Sequence, residues 1–247
     1  MKILITGASS GLGAELARQY AVDDNELILL ARREDRLYQL RKELYEQCKS
    51  VEVIIADVTE FHVLQKKIDS IDSLDMVILN AGISLGHKKD RVPTIDEFKK
   101  LYDVNVLANH AILEVLLPKF QEQKSGTVVF ISSLASLFSM PTSKVYSSSK
   151  RALNAYAEGI HYKYKKDGIS VVTVLPGFVK SEMTDANEFD MPFIMDTKEG
   201  VEEIVYAIKK KKRFHAFPFR FYFLIRLLNL LPNFIREAIV SSWSKSS

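Results

Sequence analysis

Short runs that are apolar nearly throughout alternate along the chain with longer stretches of helical composition. The runs are Lys2–Thr6, Glu26–Ala31, Val51–Ala56, Asp75–Leu79, Thr127–Ser132 and Ser170–Leu175. None alternates polar with apolar positions, which is the pattern of strands covered on both faces. Between them, Gly11–Tyr20, Glu34–Cys48, Glu60–Ser70, Ile95–Gln123 and Lys144–Lys166 predict helices, and Thr94-Ile95-Asp96-Glu97 fits a capping box at the start of the fourth. Strand–helix alternation of this kind implies right-handed crossovers and a parallel sheet. The expected fold class is α/β, a doubly wound parallel sheet. No repeat, low-complexity segment or linker divides residues 1–247, which read as one domain with a helical C-terminal extension from about 201.

The tail departs from that alternation. Phe214–Pro218 is a candidate seventh strand, Phe219–Leu228 reads as an apolar helix whose arginines keep to one side, and a short helix follows Pro232. Two readings stand: a monotopic membrane contact assisted by the basic run Lys209–Arg213, or a helix packed over the crevice or a subunit boundary. Packing on protein is the favoured one, because a large apolar patch on a soluble monomer is unusual.

Composition narrows the classes. The 247 residues are 47% hydrophobic, enough for one sizeable core. The net charge of +3 is local: without Lys209–Arg213 the balance is −2, so no nucleic-acid partner is expected. The single cysteine, Cys48, excludes an intrachain disulfide and a cysteine-based zinc site, and is expected to be an inert thiol. His62, His87, His110, His161 and His215 stand alone in sequence, so no metal site is expected. The first apolar run is too short for a signal-peptide core, and the most apolar long window, Phe214–Leu231, is broken by His215, Arg220, Arg226 and Asn229. A cytoplasmic location is the resulting expectation.

Candidate chemistry begins after the first strand, at Thr6-Gly7-Ala8-Ser9-Ser10-Gly11-Leu12-Gly13. Small residues let this backbone turn sharply and approach a pyrophosphate, while the following helix offers free amides. The spacing is G-x-x-x-G-x-G rather than G-x-G-x-x-G. An NAD site wants a carboxylate at the end of the second strand; here Arg32 and Arg33 stand there, with no acid until Glu34. Guanidinium groups suit a 2′-phosphate, so NADP(H) is the expected cofactor. Arg32 is the main contact, and Arg33 is a second contact, an adenine-stacking partner or a solvated residue at a helix start. Tyr146 and Lys150, spaced i and i+4, share one helix face, where a cation would favour the phenolate.

These motifs, followed in order by Asn80-Ala81-Gly82, Asn105, Ser133, the Tyr146/Lys150 pair and Pro176-Gly177, resemble the short-chain dehydrogenase/reductase family over about residues 1 to 200. The resemblance implies a Rossmann fold and residue roles. Tyr146 would be the general acid/base and Lys150 would lower its pKa and bind the nicotinamide ribose. Ser133, rather than Ser132, would hold the substrate oxygen, and Asn105 would help hold a water chain to Lys150. Asp57 and Val58 would contact adenine. Asn80, Ala81 and Gly82 would form a platform beside the cofactor, and Pro176, Gly177, Val179 and Ser181 the nicotinamide-side loop. It also suggests a homodimer or homotetramer built through Ile95–Gln123 and Lys144–Lys166.

The expected activity is NADP(H)-dependent interconversion of a carbonyl and a secondary alcohol. Met183, Phe189, Met191, Phe193 and Met195, with Leu137, Phe138 and Met140, suggest a lipophilic small-molecule substrate, unless they merely pack the fold. The alternatives are an NAD-dependent enzyme of the same family and a non-catalytic NADPH-binding or membrane-associated regulator.

Overall fold

The computed structural model describes residues 1–22, 24–85, 91–185 and 191–245, with side chains to 241. Strands β1 (Lys2–Thr6), β2 (Glu26–Ala31) and β3 (Ser50–Ile55) alternate with helices α1 (Gly11–Tyr20), α2 (Glu34–Leu44) and α3 (Phe61–Asp69). Then come β4 (Met76–Leu79), α4 (Ile95–Tyr102), α5 (Ala108–Gln123), β5 (Gly126–Ile131), α6 (Lys144–Tyr164) and β6 (Ile169–Pro176). The chain continues through α7 (Glu182–Asp185), α8 (Thr197–Lys209), β7 (Phe214–Phe217), α9 (Phe219–Leu230) and α10 (Asn233–Lys245). One seven-stranded sheet has the order β3-β2-β1-β4-β5-β6-β7, and every neighbouring pair is parallel. Strand order reverses between β1 and β4, which opens a crevice at their carboxyl ends.

The unbroken apolar runs have a direct cause. Ile3, Ile5, Leu27 and Leu29 face one layer with Leu16, Leu37 and Ile204, while Leu4, Ile28 and Val77 face the other with Leu64, Leu113, Leu116 and Leu153. Helices α1, α2 and α8 cover one face; α3, α5 and α6 cover the other. Removing one such leucine to alanine costs about 2–5 kcal/mol, so both layers are needed.

Three expectations change in detail. Helix α2 stops at Leu44, not Cys48, because Leu37, Leu40 and Leu44 are its core-facing positions and Tyr45, Glu46 and Gln47 are exposed. The stretch Ile95–Gln123 is helical throughout but is not uniformly α: Asp103–Leu107 form a π turn between α4 and α5. The capping box forms as expected, with the Glu97 amide donating to Thr94 Oγ1 at 3.2 Å and the Thr94 amide to Glu97 Oε2 at 2.9 Å. The seventh strand forms too, pairing with β6, and α10 is longer than the short helix expected.

Candidate active site

The crevice is built first by Thr6, the last residue of β1, which is fully buried. Its hydroxyl donates to the Ile78 carbonyl at 3.3 Å and accepts from the amides of Asn80 and Ala81, each at 3.0 Å. Asn80 replies with its side-chain amide, donating to the Thr6 carbonyl at 3.0 Å and the Gly7 carbonyl at 3.4 Å. Asn80 therefore ties the glycine turn to β4. Gly7 has φ +67°, a left-handed conformation that favours glycine, and a Cβ on Gly13 would sit 2.2 Å from the Gly7 carbonyl oxygen. The turn can take this tight path only without side chains at these positions, which leaves backbone at the mouth of the crevice as a pyrophosphate cradle requires. Thr6 was not singled out from sequence; its signal was a hydroxyl at the last position of an apolar strand.

The arginines after β2 occupy different surroundings. Arg32 pairs with Asp57 at 3.3 Å, and with Thr59, Lys99 and Lys100 the two line a cavity of about 270 Å³. Burial pushes the Asp57 carboxyl up, but hydrogen bonds from the Thr59 amide and hydroxyl and the charge of Arg32 outweigh it, leaving the pKa below the ordinary value. Val58 beside it is buried. Arg33, at the start of α2, is partly exposed and also engaged by side chains of the turn. Its Nε donates to Ser9 Oγ at 3.0 Å, Nη2 donates to Ser10 Oγ, and Nη1 meets Glu182 at 2.7 Å. Arg36 also pairs with Glu182. No sequence pattern announced Glu182, which lies 149 positions from Arg33 along the chain.

Tyr146, in the first turn of α6, stands beside Ser133, whose hydroxyl acts to lower the pKa of the phenol. Ser132 does not share that role: its hydroxyl donates to the Lys150 carbonyl at 3.3 Å and pins α6 to the end of β5. The Ser133 hydroxyl is fixed in turn by the Ala135 amide, which donates to it at 3.1 Å. Lys150 is buried, its Nζ donating to the Ile131 carbonyl at 2.9 Å and standing 5.8 Å from the centre of the Tyr146 ring. Burial lowers the Lys150 pKa to about 8. The Tyr146 phenol moves opposite to expectation. Burial raises its pKa above the ordinary value, opposed only in part by the nearby Ser133 hydroxyl. At 5.8 Å from the ring, Lys150 does not offset the loss of hydration.

The π turn aims Asn105 inward, where it has no exposure. Its Oδ1 accepts from the Ile83 amide at 2.8 Å, and its Nδ2 donates to the Ile83 carbonyl at 3.0 Å and to Ser149 Oγ at 3.1 Å. The Asn105 carbonyl accepts from Asn109 Nδ2 at 2.7 Å, a second partner that sequence did not suggest. A Cβ on Gly82 would lie 3.4 Å from both Asn105 Oδ1 and Lys150 Nζ, so that glycine lets both groups reach the strand end. On the other side of the crevice, Gly177 bonds through its amide to the Phe217 carbonyl at 2.7 Å, and buried Val179 bridges to Met195. Ser181 lies against Gly11, where a Cβ would meet its own Cβ at 3.2 Å, and its hydroxyl is 3.3 Å from that of Thr184. The expected residues placed above thus gather near the carboxyl edge of the sheet, with Arg32 and Asp57 lining one cavity and Tyr146 another.

The family profile described as short chain dehydrogenase matches residues 1–191. The chain belongs to the short-chain dehydrogenase family. It is 34% identical over 239 residues to an uncharacterised oxidoreductase of Myxococcus xanthus, covering 95% of this chain and 94% of that one. Among solved structures it is similar to a short-chain dehydrogenase from Sphingobium yanoikuyae in complex with NADPH, with a TM-score of 0.82 and 25% identity over 88% of this chain and 87% of the other. The fold also matches the bulky-bulky ketone specific alcohol dehydrogenase from Comamonas testosteroni, TM-score 0.79, 23% identity, covering 94% and 95%. This protein is accordingly an oxidoreductase of that family, whose fold binds a nicotinamide cofactor.

In this short-chain dehydrogenase the apolar residues expected around the substrate divide. The cavity that Tyr146 lines, about 30 Å³, is bounded by Ser84, Leu85, Arg91, Pro93, Glu97 and Thr142–Val145, a mixed rather than an apolar wall. Leu137 and Phe138 instead pack with Leu134, Leu175 and Ile225 of α9. Phe193 lies 5.9 Å from Phe221, ring centre to ring centre, and Phe178 lies 5.8 Å from it. Met183 is exposed, Met195 packs on the core, and Phe189 falls outside the described residues, as does His87. Among the described residues no helix is long and apolar enough to cross a membrane.

Proposed function

We propose that this short-chain dehydrogenase interconverts a carbonyl and a secondary alcohol with NADP(H), on a lipophilic small molecule. The observation that carries the reading is the placement of Tyr146 beside Ser133, with buried Lys150 5.8 Å from the Tyr146 ring. When bound, nicotinamide supplies the hydride in reduction and takes it in oxidation. In reduction Tyr146 gives its proton to the carbonyl oxygen, and the Ser133 hydroxyl holds that oxygen in place. A phenol whose pKa burial has raised arrives protonated at neutral pH, which suits the reducing direction. Lys150 provides the positive charge that stabilises the phenolate left behind, and Asn105 fixes the loop at Ile83 over which Lys150 approaches Gly82.

The choice of NADP(H) rests on Arg32 and Arg33 and on the missing carboxylate at the end of β2. Arg33 bonds to the turn hydroxyls of Ser9 and Ser10, and Arg32 opens on a cavity lined by Lys99 and Lys100 as well as Asp57, Asp96 and Asp103; the two guanidiniums are the proposed partners of a 2′-phosphate. The Sphingobium relative, seen with NADPH, lends further support. The lipophilic substrate class rests on the aromatic group Phe178, Phe193 and Phe221, the last beside Gly177. We also propose a cytoplasmic homo-oligomer associating through α4–α5 and α6, checked by light scattering after gel filtration. The deciding experiment follows cofactor oxidation with a panel of ketones and aldehydes of increasing apolar size, with NADPH and with NADH. Turnover preferring NADPH and larger apolar ketones supports the reading; equal use of both cofactors removes the NADP(H) assignment.

A further inference from the structure

The charge of this chain is unevenly divided. Residues 209–247 hold nine lysines and arginines against the single acid Glu237, a net +8, whereas residues 1–208 are −5. Among the described residues no carboxylate pairs with Lys209, Lys210, Lys211, Arg220 or Arg226. The first three lie on the exposed end of α8 and the turn after it, immediately before β7.

The same segment carries an apolar face that no described residue covers. Helix α9 sits on the body through Phe221, Tyr222 and Ile225, packed on Leu134, Leu137, Phe138 and Leu175. Its opposite side is apolar as well: Phe219 is 70% exposed, Phe223 52%, Leu227 45% and Leu230 79%, and Phe234 on α10 is 72% exposed. The α9 positions recur at i, i+4, i+8 and i+11, which is one stripe of a helix, and Phe234 extends it onto the next. Arg220 and Arg226 flank the stripe on long aliphatic stems, which can lie along apolar surface while the guanidinium stays hydrated.

We propose that α9 and the first turn of α10 lie flat on an anionic lipid bilayer, the aromatic and leucine stripe entering the interface and the basic run meeting the headgroups. The occupant is argued from charge. A surface of strong positive sign with apolar side chains set within it complements anionic lipid. A second copy would bring a second +8 tail against the first, an arrangement that repels. With no helix able to span a bilayer among the described residues, the contact is with one face only. The buried side of the same helix carries Phe221 beside Phe178 and Phe193, and Asn229 Nδ2 donates to the Leu137 carbonyl at 3.0 Å, just beyond Ser133. Docking would therefore bring the aromatic flank of the crevice to the lipid surface. That last consequence rests on the lipophilic-substrate reading above; the docking itself does not.

The test is co-sedimentation of the full-length protein with vesicles of phosphatidylcholine alone and of phosphatidylcholine mixed with phosphatidylserine, without substrate or cofactor. Sedimentation with the mixed vesicles, weakened by added salt, is expected. The Lys209→Glu/Lys210→Glu/Lys211→Glu variant should lose about tenfold or more in partitioning, and Phe223→Ser/Leu227→Ser should lose it on both vesicle types. Thermal unfolding and NADPH fluorescence quenching report whether each variant is folded, and the exposed lysine variant keeps the test valid should the stripe variant misfold. Wild-type protein left in the supernatant with anionic vesicles overturns the proposal, as does sedimentation that neither variant changes. Concentration-dependent dimerisation abolished by the stripe variant would assign the face to a second copy and also overturn it. Because binding is read without turnover, failure of the proposed redox chemistry leaves this result interpretable.

Discussion

Glu182, on the segment that leaves β6, reaches back across the crevice to Arg33 at the end of β2 with a contact of 2.7 Å. One guanidinium thereby joins three parts of the site: the turn hydroxyls of Ser9 and Ser10, the start of α2 and the segment after Ser181. Hydrogen bonds from Arg33 and Arg36 hold the Glu182 carboxyl down to about 2. A 2′-phosphate approaching Arg33 has to compete with this carboxylate. Glu182→Gln should tighten NADPH binding by up to about fivefold, the scale of one exposed ion pair, and leave NADH affinity unchanged; fluorescence titration with both cofactors checks it. The sign with pH follows from the depressed value. The pair contributes fully above the unfolded carboxyl pKa and is lost only as pH falls toward 2, so the NADPH-to-NADH affinity ratio of wild type should owe no change to Glu182 between about pH 5 and 9.

Tyr146→Phe removes the hydroxyl beside Ser133 and keeps the ring. Steady-state turnover should fall by about 10²–10⁴-fold, the contribution of a positioned proton donor, with NADPH binding within about twofold of wild type. Near-normal turnover in the variant would exclude Tyr146 as the proton donor.

Lys150 is buried with its pKa lowered to about 8, below the ordinary 10.5. Between those values the unfolded chain binds more protons at this residue than the folded one, so its contribution makes stability rise with pH in that window. Lys150→Met should abolish turnover. Against this variant, wild type should gain relative stability from pH 8 to pH 10, measured as the difference in urea midpoint. An unchanged difference across that window would mean that Lys150 is not desolvated as the structure indicates.

Thr6→Val removes the acceptor shared by the Asn80 and Ala81 amides at no exposure to water. Leaving the Ala81 amide without this acceptor, while the Asn80 amide keeps the Ile78 carbonyl, should cost about 1–3 kcal/mol in denaturant unfolding. The cofactor KM should rise more than kcat falls, because the turn is held and the proton donor is not touched.

Much of this architecture was legible in sequence for an identifiable reason. Strands such as Lys2–Thr6 and Glu26–Ala31 are buried on both faces, so their apolar character is continuous and their ends stand out. The end of β5 was readable as well, where the Ser132 hydroxyl turns to the Lys150 carbonyl. What escaped depends on packing at long range. The Arg33–Glu182 pair joins residues 149 positions apart, and nothing in the neighbourhood of either marks it. The π turn is invisible to periodicity because Asp103–Leu107 have ordinary helical composition. The direction of the Tyr146 shift needed the degree of burial, which a one-turn spacing to Lys150 does not reveal. The division of the methionines and phenylalanines between α9 and the core likewise depends on where the tail folds back.

The π turn has a consequence for how this chain tolerates change. Such a turn is an α-helix carrying one residue too many, and each residue of an α-helix turns the chain through about 100°. Deleting one residue between Asp103 and Leu107 would therefore mend the helix rather than break it, yet it would swing everything upstream, from the Thr94 cap to Leu101, by more than a quarter of a revolution against α5. Asn105 would lose its aim at Ile83. The irregularity is a wedge that sets the angle between two halves of one rod, and shortening the chain there would improve the rod and misplace the tool it carries.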